Sequence, residues 1–325
     1  MREMMCILLY TLPCLLFAGT ALAAVEPGAY VARYRGDANA AFSFTFDDGF
    51  RQEVEDALSV LDVLDIKGTF FVMPLAMDET PNHFVTWDRL REMQANGHEI
   101  GTHARTRPRL HEVDDETVRS IVNGGWDLIR DELERAPVSF AYPGGTRRDA
   151  RLATIVGERH PFIRTQAVGY GSAGNRVWRP AEARAEVREA QDSGGWIKAV
   201  VHSIVGGYSP FESIDEFREH CEWLAEQGDE LWIAPMGEVG RYVALRDAAR
   251  LEVLAQGPGH ARLRLVCDAQ AGDVDDARLT VVIPATATEA TATTADGAEL
   301  PVTVREGHVL VEVPADATVV EVHWV

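Results

Sequence analysis

The sequence predicts an α/β fold: a (β/α)7 barrel, closed or nearly so, followed by a small C-terminal all-β, sandwich-like domain. Three observations carry that expectation. Between Ala40 and about Val239, short apolar runs alternate with stretches of helical period, and strict strand-helix alternation implies a parallel sheet. Beyond about Arg250 the helical period stops, and β-branched or alternating runs punctuated by turn residues replace it. The 325 residues, 46% hydrophobic and 25% charged, suit one full-sized domain with a smaller one beside it.

The N-terminus reads Arg2, the apolar run Ile7 to Phe17, then the small-residue stretch Ala21-Leu22-Ala23. This is the three-region pattern of a secretory signal peptide over residues 1–23, which implies a secreted or periplasmic product. The run is too short, and too closely followed by Pro27 and Gly28, for stable membrane insertion. Cys6 and Cys14 fall in the signal, so Cys221 and Cys267 remain, either as one bridge or as two free thiols, with no Cys-x-x-Cys pattern to hold zinc. A net charge of −20 argues against nucleic acid and anionic membranes as partners, since both require basic patches.

The candidate strands are Ala41 to Phe46, Gly68 to Val72, Glu99 to Thr102, Val138 to Tyr142, Phe162 to Ala167, Trp196 to His202, and Leu231 to Ala234. Helical spacing is clearest at Val54, Ala57, Leu58, Leu61 and Leu64, and again at Val118, Ile121, Trp126, Ile129 and Leu133. Seven such units fit a barrel over residues 24–248 better than an open two-sided sheet, which the sequence does not exclude. The β domain, residues 249–325, has runs at Leu251 to Leu254, Ala261 to Cys267, Arg278 to Ile283, Val302 to Val304, His308 to Val313 and Val319 to Val325. Its default role is a structural accessory to the barrel.

Chemically capable side chains gather at the carboxyl ends of the barrel strands. Asp47 and Asp48 follow the first strand and His103 the third; Tyr142-Pro143-Gly144-Gly145 ends the fourth, and His202 ends the sixth. In a parallel barrel these ends share one face, so residues distant in sequence converge on one pocket. Adjacent carboxylates stay ionised together most easily with a cation or proton between them. The plain alternative is that Asp48 caps the helix beginning near Gln52 while Gly49 supplies the turn. His103 and His202, each taken singly, are equally readable as loop histidines.

Thr45-Phe46-Asp47-Asp48-Gly49 resembles the first motif of the polysaccharide deacetylase family, the carbohydrate esterases with a nodulation-type deacetylase domain. In order, Gly68 to Val72 resembles the family's second strand, Gly97 to His103 its second motif, Phe140 to Pro143 its third, and Gly195-Trp196 through His202 with Trp232 to Val239 its last two strands. The resemblance covers roughly residues 40 to 245. It implies a distorted (β/α) barrel, a carbohydrate substrate, and hydrolysis of N- or O-linked acetyl groups with a divalent metal, usually zinc. By position it implies Asp47 as general base, Asp48 and His103 as metal ligands, His202 as general acid, and a backbone N–H near Gly144, beside Tyr142, at the oxyanion.

The chain also departs from the family pattern. Arg107 stands where the family has its second histidine, and a guanidinium cannot ligate a cation. Ala141 stands where the family has the arginine that pairs with the base, Gly144 replaces a tyrosine, and only Trp178 offers a counterpart to the tryptophan before the last histidine. Two readings stay open. The site keeps a metal through Asp48, His103 and a substitute such as His111 or solvent, or it has lost the metal and binds saccharide or works by another mechanism. Arg107, with Arg105 and Arg109, is then either a reader of a substrate carboxylate or sulfate or a surface arginine with an acidic neighbour.

Overall fold

The structure, a computed structural model, describes residues 28–80, 82–104, 109–144, 146, 149–165, 168–170, 179–206, 209–267, 277–316 and 319–325. The signal-like segment 1–23, Arg105, Arg107 and Trp178 lie outside the described residues.

The chain enters on strand β1 (Tyr30–Val31) and a single 3-10 turn, Arg35–Asp37, and then builds one parallel sheet. Its strands are β2 (Ala40–Phe46), β3 (Thr69–Val72), β4 (Glu99–Thr102), β5 (Ser139–Phe140), β6 (Phe162–Ile163), β7 (Val168–Tyr170), β8 (Trp196–Val201) and β9 (Leu231–Ile233). They run in the order β6-β5-β4-β3-β2-β8-β7, with β9 also paired to the start of β2. All of these pairings are parallel. The sheet curls into a distorted barrel whose edge strands, β6 and β7, do not pair with each other among the described residues. Within the expected run Phe162 to Ala167 the strand is Phe162–Ile163, and the short Val168-Gly169-Tyr170 forms an eighth strand that the apolar pattern was too brief to reveal.

The helices are α1 (Arg51–Leu61), α2 (Pro74–Glu79), α3 (Trp87–Ala95), α4 (Asp115–Leu133), α5 (Ala150–Gly157), α6 (Pro180–Ser193), α7 (Ile214–Ala225) and α8 (Met236–Ala248). Val54, Ala57, Leu58 and Leu61 of α1 are buried, as their spacing requires, against Phe42, Phe44 and Phe46 on the outer face of β2. Because side chains alternate along a strand, Ser43, Thr45 and then Asp47 point to the opposite, inner face.

The C-terminal strands are β10 (Ala249–Gly257), β11 (His260–Cys267), β12 (Arg278–Pro284), β13 (Ala290–Thr294), β14 (Glu299–Leu300), β15 (Val302–Arg305), β16 (His308–Pro314) and β17 (Val319–Trp324). They form two antiparallel sheets, ordered β1-β12-β16-β15 and β10-β11-β17-β13-β14, around a core including Leu263, Leu265, Val281, Ile283, Val311 and Val322. Tyr242 and Leu245 of α8 sit in that same core, and the Tyr242 hydroxyl donates to the Ala32 carbonyl at 3.0 Å. Cys221 and Cys267 are both free thiols. No described helix is long and apolar enough to cross a membrane.

Candidate active site

Asp47 and Asp48 lie on the barrel rim, and the backbone there explains how. Asp48 has φ of 75° and Gly49 φ of 78°. α1 starts instead from Phe50, without a side-chain cap bond, so Asp48 is not the cap of that helix. A non-glycine residue in the left-handed region is uncommon and is held there by its surroundings. At Gly49 a Cβ would also come within 3.0 Å of Val72 Cγ1.

Asp47 is 5% exposed and makes a two-point ion pair with Arg164, in which Nη1 donates to Oδ1 at 2.7 Å and Nη2 to Oδ2 at 2.6 Å. Nη1 also donates to Thr45 Oγ1 at 2.8 Å, and the guanidinium lies 4.9 Å above the Phe71 ring. Burial by itself would raise the Asp47 carboxyl, but Arg164, with His103 and His202, outweighs it and holds the group down to about 2. Arg164 follows β6 at its carboxyl end. The alignment of the third motif leaves Asp47 without an arginine at Ala141; the structure supplies one from the neighbouring strand. A signal was available, since an arginine inside the apolar run Phe162 to Ala167 needs a buried partner.

His103 is 2% exposed and takes its backbone position from a bond of its N–H to Val72 O at 2.9 Å. Its Nδ1 lies 2.9 Å from the Ala141 carbonyl, which only accepts, so Nδ1 carries the proton. Burial lowers its pKa against the opposing pull of Asp47 and Asp48, favouring the neutral ring. The Nε2 lone pair then faces Asp48 Oδ1 at 3.5 Å. Two lone-pair donors facing each other call for a cation or a proton between them. The separation also suits ligands about 2.0–2.2 Å from a shared tetrahedral metal, with the second ring nitrogen fixed by a carbonyl as metal-binding histidines require.

His202 follows β8, and its Nε2 is 3.7 Å from Asp47 Oδ2; with 28% of its side chain exposed it faces the opening. Gly144 is exposed beyond β5, whereas the Tyr142 ring is buried edge-on against Phe140. His111 Nε2 lies 3.8 Å from Glu112 Oε1, and Arg109 also pairs with Glu112. Among the described residues no group of three His, Cys, Asp or Glu side chains converges as a metal site. The structure therefore brings together Asp47, Asp48, His103 and His202, and adds Arg164.

Residues 36–157 match the sequence profile of the polysaccharide deacetylase family. The match runs from the 3-10 turn to the end of α5, within the barrel. A gellan lyase of Bacillus sp is 25% identical over 258 residues, 69% of this chain but 10% of that protein, so the chain spans about a tenth of that relative's length. A solved structure of a Mycobacterium smegmatis protein assigned to the polysaccharide deacetylases superposes with a TM-score of 0.51 at 18% identity, over 68% of this chain and 96% of the other. A likeness at that identity is one of fold. A Bacillus anthracis structure described as a CE4 family pseudoenzyme covers 63% of this chain and 66% of its own, at 17% identity and a TM-score of 0.46.

Proposed function

We propose that this chain is an exported hydrolase that removes acetyl groups from a polysaccharide, with Asp47 as base, His202 as acid, and Asp48 and His103 as the protein ligands of a divalent cation such as zinc. The observation that carries the reading is the facing of His103 Nε2 and Asp48 Oδ1 at 3.5 Å beside a carboxylate fixed on both oxygens by Arg164. A bound cation supplies Lewis acidity, lowering the pKa of water and polarising an acetyl carbonyl, which suits a base as weak as Asp47. Arg164 keeps Asp47 ionised and oriented, so it is ready to accept a proton from water. His202, across from it and open to solvent, donates a proton to the departing alcohol or amine. The exposed backbone at Gly144 offers an N–H for the oxyanion. The signal-like pattern of residues 1–23 supports export to the periplasm or medium.

A second reading, a metal-free saccharide binder, is favoured by Arg107 at the position of the family's second histidine. Metal analysis together with acetate release from an acetylated glycan panel that includes gellan separates the two. Stoichiometric metal and acetate release, both lost on Asp48→Ala, support the enzyme. Neither metal nor acetate from the unaltered chain overturns it.

A further inference from the structure

At the end of the barrel opposite the rim, a cleft of about 580 Å3 lies between the entry of β8, the end of α8 and the first described residues of the chain. That volume is in the range of small-molecule sites, which favour junctions between domains. Tyr30 forms one wall and is 36% exposed. Its hydroxyl donates to Asp37 Oδ2 at 3.0 Å. Burial first, and then the Asp37 carboxylate, push the phenol up to about 12, so it stays protonated and its ring stays fixed.

Asp37 is held in the left-handed region, with φ of 59°. Of the other non-glycine residues there, Asp48 and Ala104 belong to the rim, while Asp65 and Glu134 follow helix ends. Asp37 alone marks this second place, and such strain gathers where ligands are clamped. Arg33 lies across the end of α6, its Nη1 bonding the carbonyls of Ser193 at 3.4 Å and Gly194 at 3.1 Å, which leaves Nε and Nη2 as donors. Gly194 permits that approach, since a Cβ there would sit 2.1 Å from Arg33 Nη1. Arg246 completes the wall, bonded to the Arg33 carbonyl at 2.6 Å and paired with Asp247. Arg33 and Arg246 are thus balanced by Asp37 and Asp247, so the cleft suits an uncharged ligand.

We propose that this cleft is a second, non-catalytic binding site for an uncharged stretch of glycan, with Tyr30 as the stacking face and Arg33, Asp37 and Arg246 bonding sugar hydroxyls. A rigid aromatic face beside forked donors and an acceptor is the chemistry that a polyhydroxylated ring requires. The cleft and His202 lie at opposite ends of β8, whose six residues span about 20 Å. The cleft therefore holds a different part of a polymer from the one at the rim. The choice of a saccharide rests on the deacetylase reading; the site itself does not.

Calorimetric titration of the full chain with xylohexaose and cellohexaose tests the proposal, because neither carries an acetyl group and binding is read without turnover. At least one hexasaccharide binds the unaltered chain. Tyr30→Ala weakens that binding by about tenfold. Tyr30→Phe, which keeps the ring, retains it, and both variants keep the far-UV spectrum of the parent. Absence of binding by both sugars at millimolar concentration, or equal binding by Tyr30→Ala, overturns the site. Acetate release measured alongside reports on the rim alone, so failure of one reading is distinguishable from failure of the other.

Discussion

Arg164 is buried to 3% exposure, and its charge is met by the Asp47 carboxylate. Removing it leaves a buried, unpaired carboxylate, so Arg164→Ala is expected to cost about 3–5 kcal/mol and to abolish acetate release, as urea unfolding and an activity assay will show. Arg164→Lys offers a single point of charge for a two-point site and should restore neither fully. Asp47 has a folded pKa of about 2, below its ordinary 3.8. The stability that the pair contributes is therefore complete above pH 3.8 and is lost as pH falls towards 2. An activity loss between pH 7 and 5 would have to come from another group, which a pH profile of the Asp47→Glu variant against the parent can separate.

Glu99, at the start of β4, caps α8 from a different element. Its Oε2 accepts from Gly237 N and from the Thr69 hydroxyl, both at 2.7 Å, while Thr69 Oγ1 accepts from Met236 N at 2.8 Å. Glu99→Ala should cost about 1–2 kcal/mol, read as a lowered thermal midpoint, because a helix start otherwise has no acceptor for these amides. Two buried histidines, His160 between α5 and β6 and His220 in α7, are held neutral. Burial lowers His160, beside Thr102, to about 4, and lowers His220, in α7, to about 3. Both folded values lie below the ordinary 6.5, so their contribution is full above 6.5 and declines as pH falls. The loss should be on the order of 3 kcal/mol apiece by pH 4. Urea midpoints at pH 7 and 4.5 check this, and equal midpoints would mean the folded chain takes up the protons.

At the scale of the molecule, α8 belongs to two cores at once. Val239 packs under the barrel with Tyr34 and Ala41, while Tyr242 and Leu245 pack into the sandwich. Strand β1, first in the described chain, pairs with β12 of the sandwich, and Arg305 reaches back to the Gly36 carbonyl at 2.6 Å and to Asp229 at 2.8 Å. Truncation after Ala248 should therefore expose Tyr242 and Leu245, lower the thermal midpoint and increase binding of a hydrophobic dye. A truncated chain as stable as the parent would show that the sandwich only sits beside the barrel.

What the sequence by itself determined is the placement of chemistry along the chain. Apolar runs of strand length ended in Asp47, Asp48, His103 and His202, and a parallel sheet puts such ends on one face whatever its strand order. Helix faces such as Val54, Ala57 and Leu58 were equally legible, because period and burial are the same physical fact. Strand order decided the rest. Arg164 lies 117 residues from Asp47 and joins it only because β6 pairs beside β5, so that the curl of the sheet carries an arginine across the barrel to β2. No local pattern encodes that pairing. The choice between Asp48 as rim carboxylate and Asp48 as helix cap was likewise settled by the backbone, since α1 starts from Phe50, which the residue type permits but does not compel.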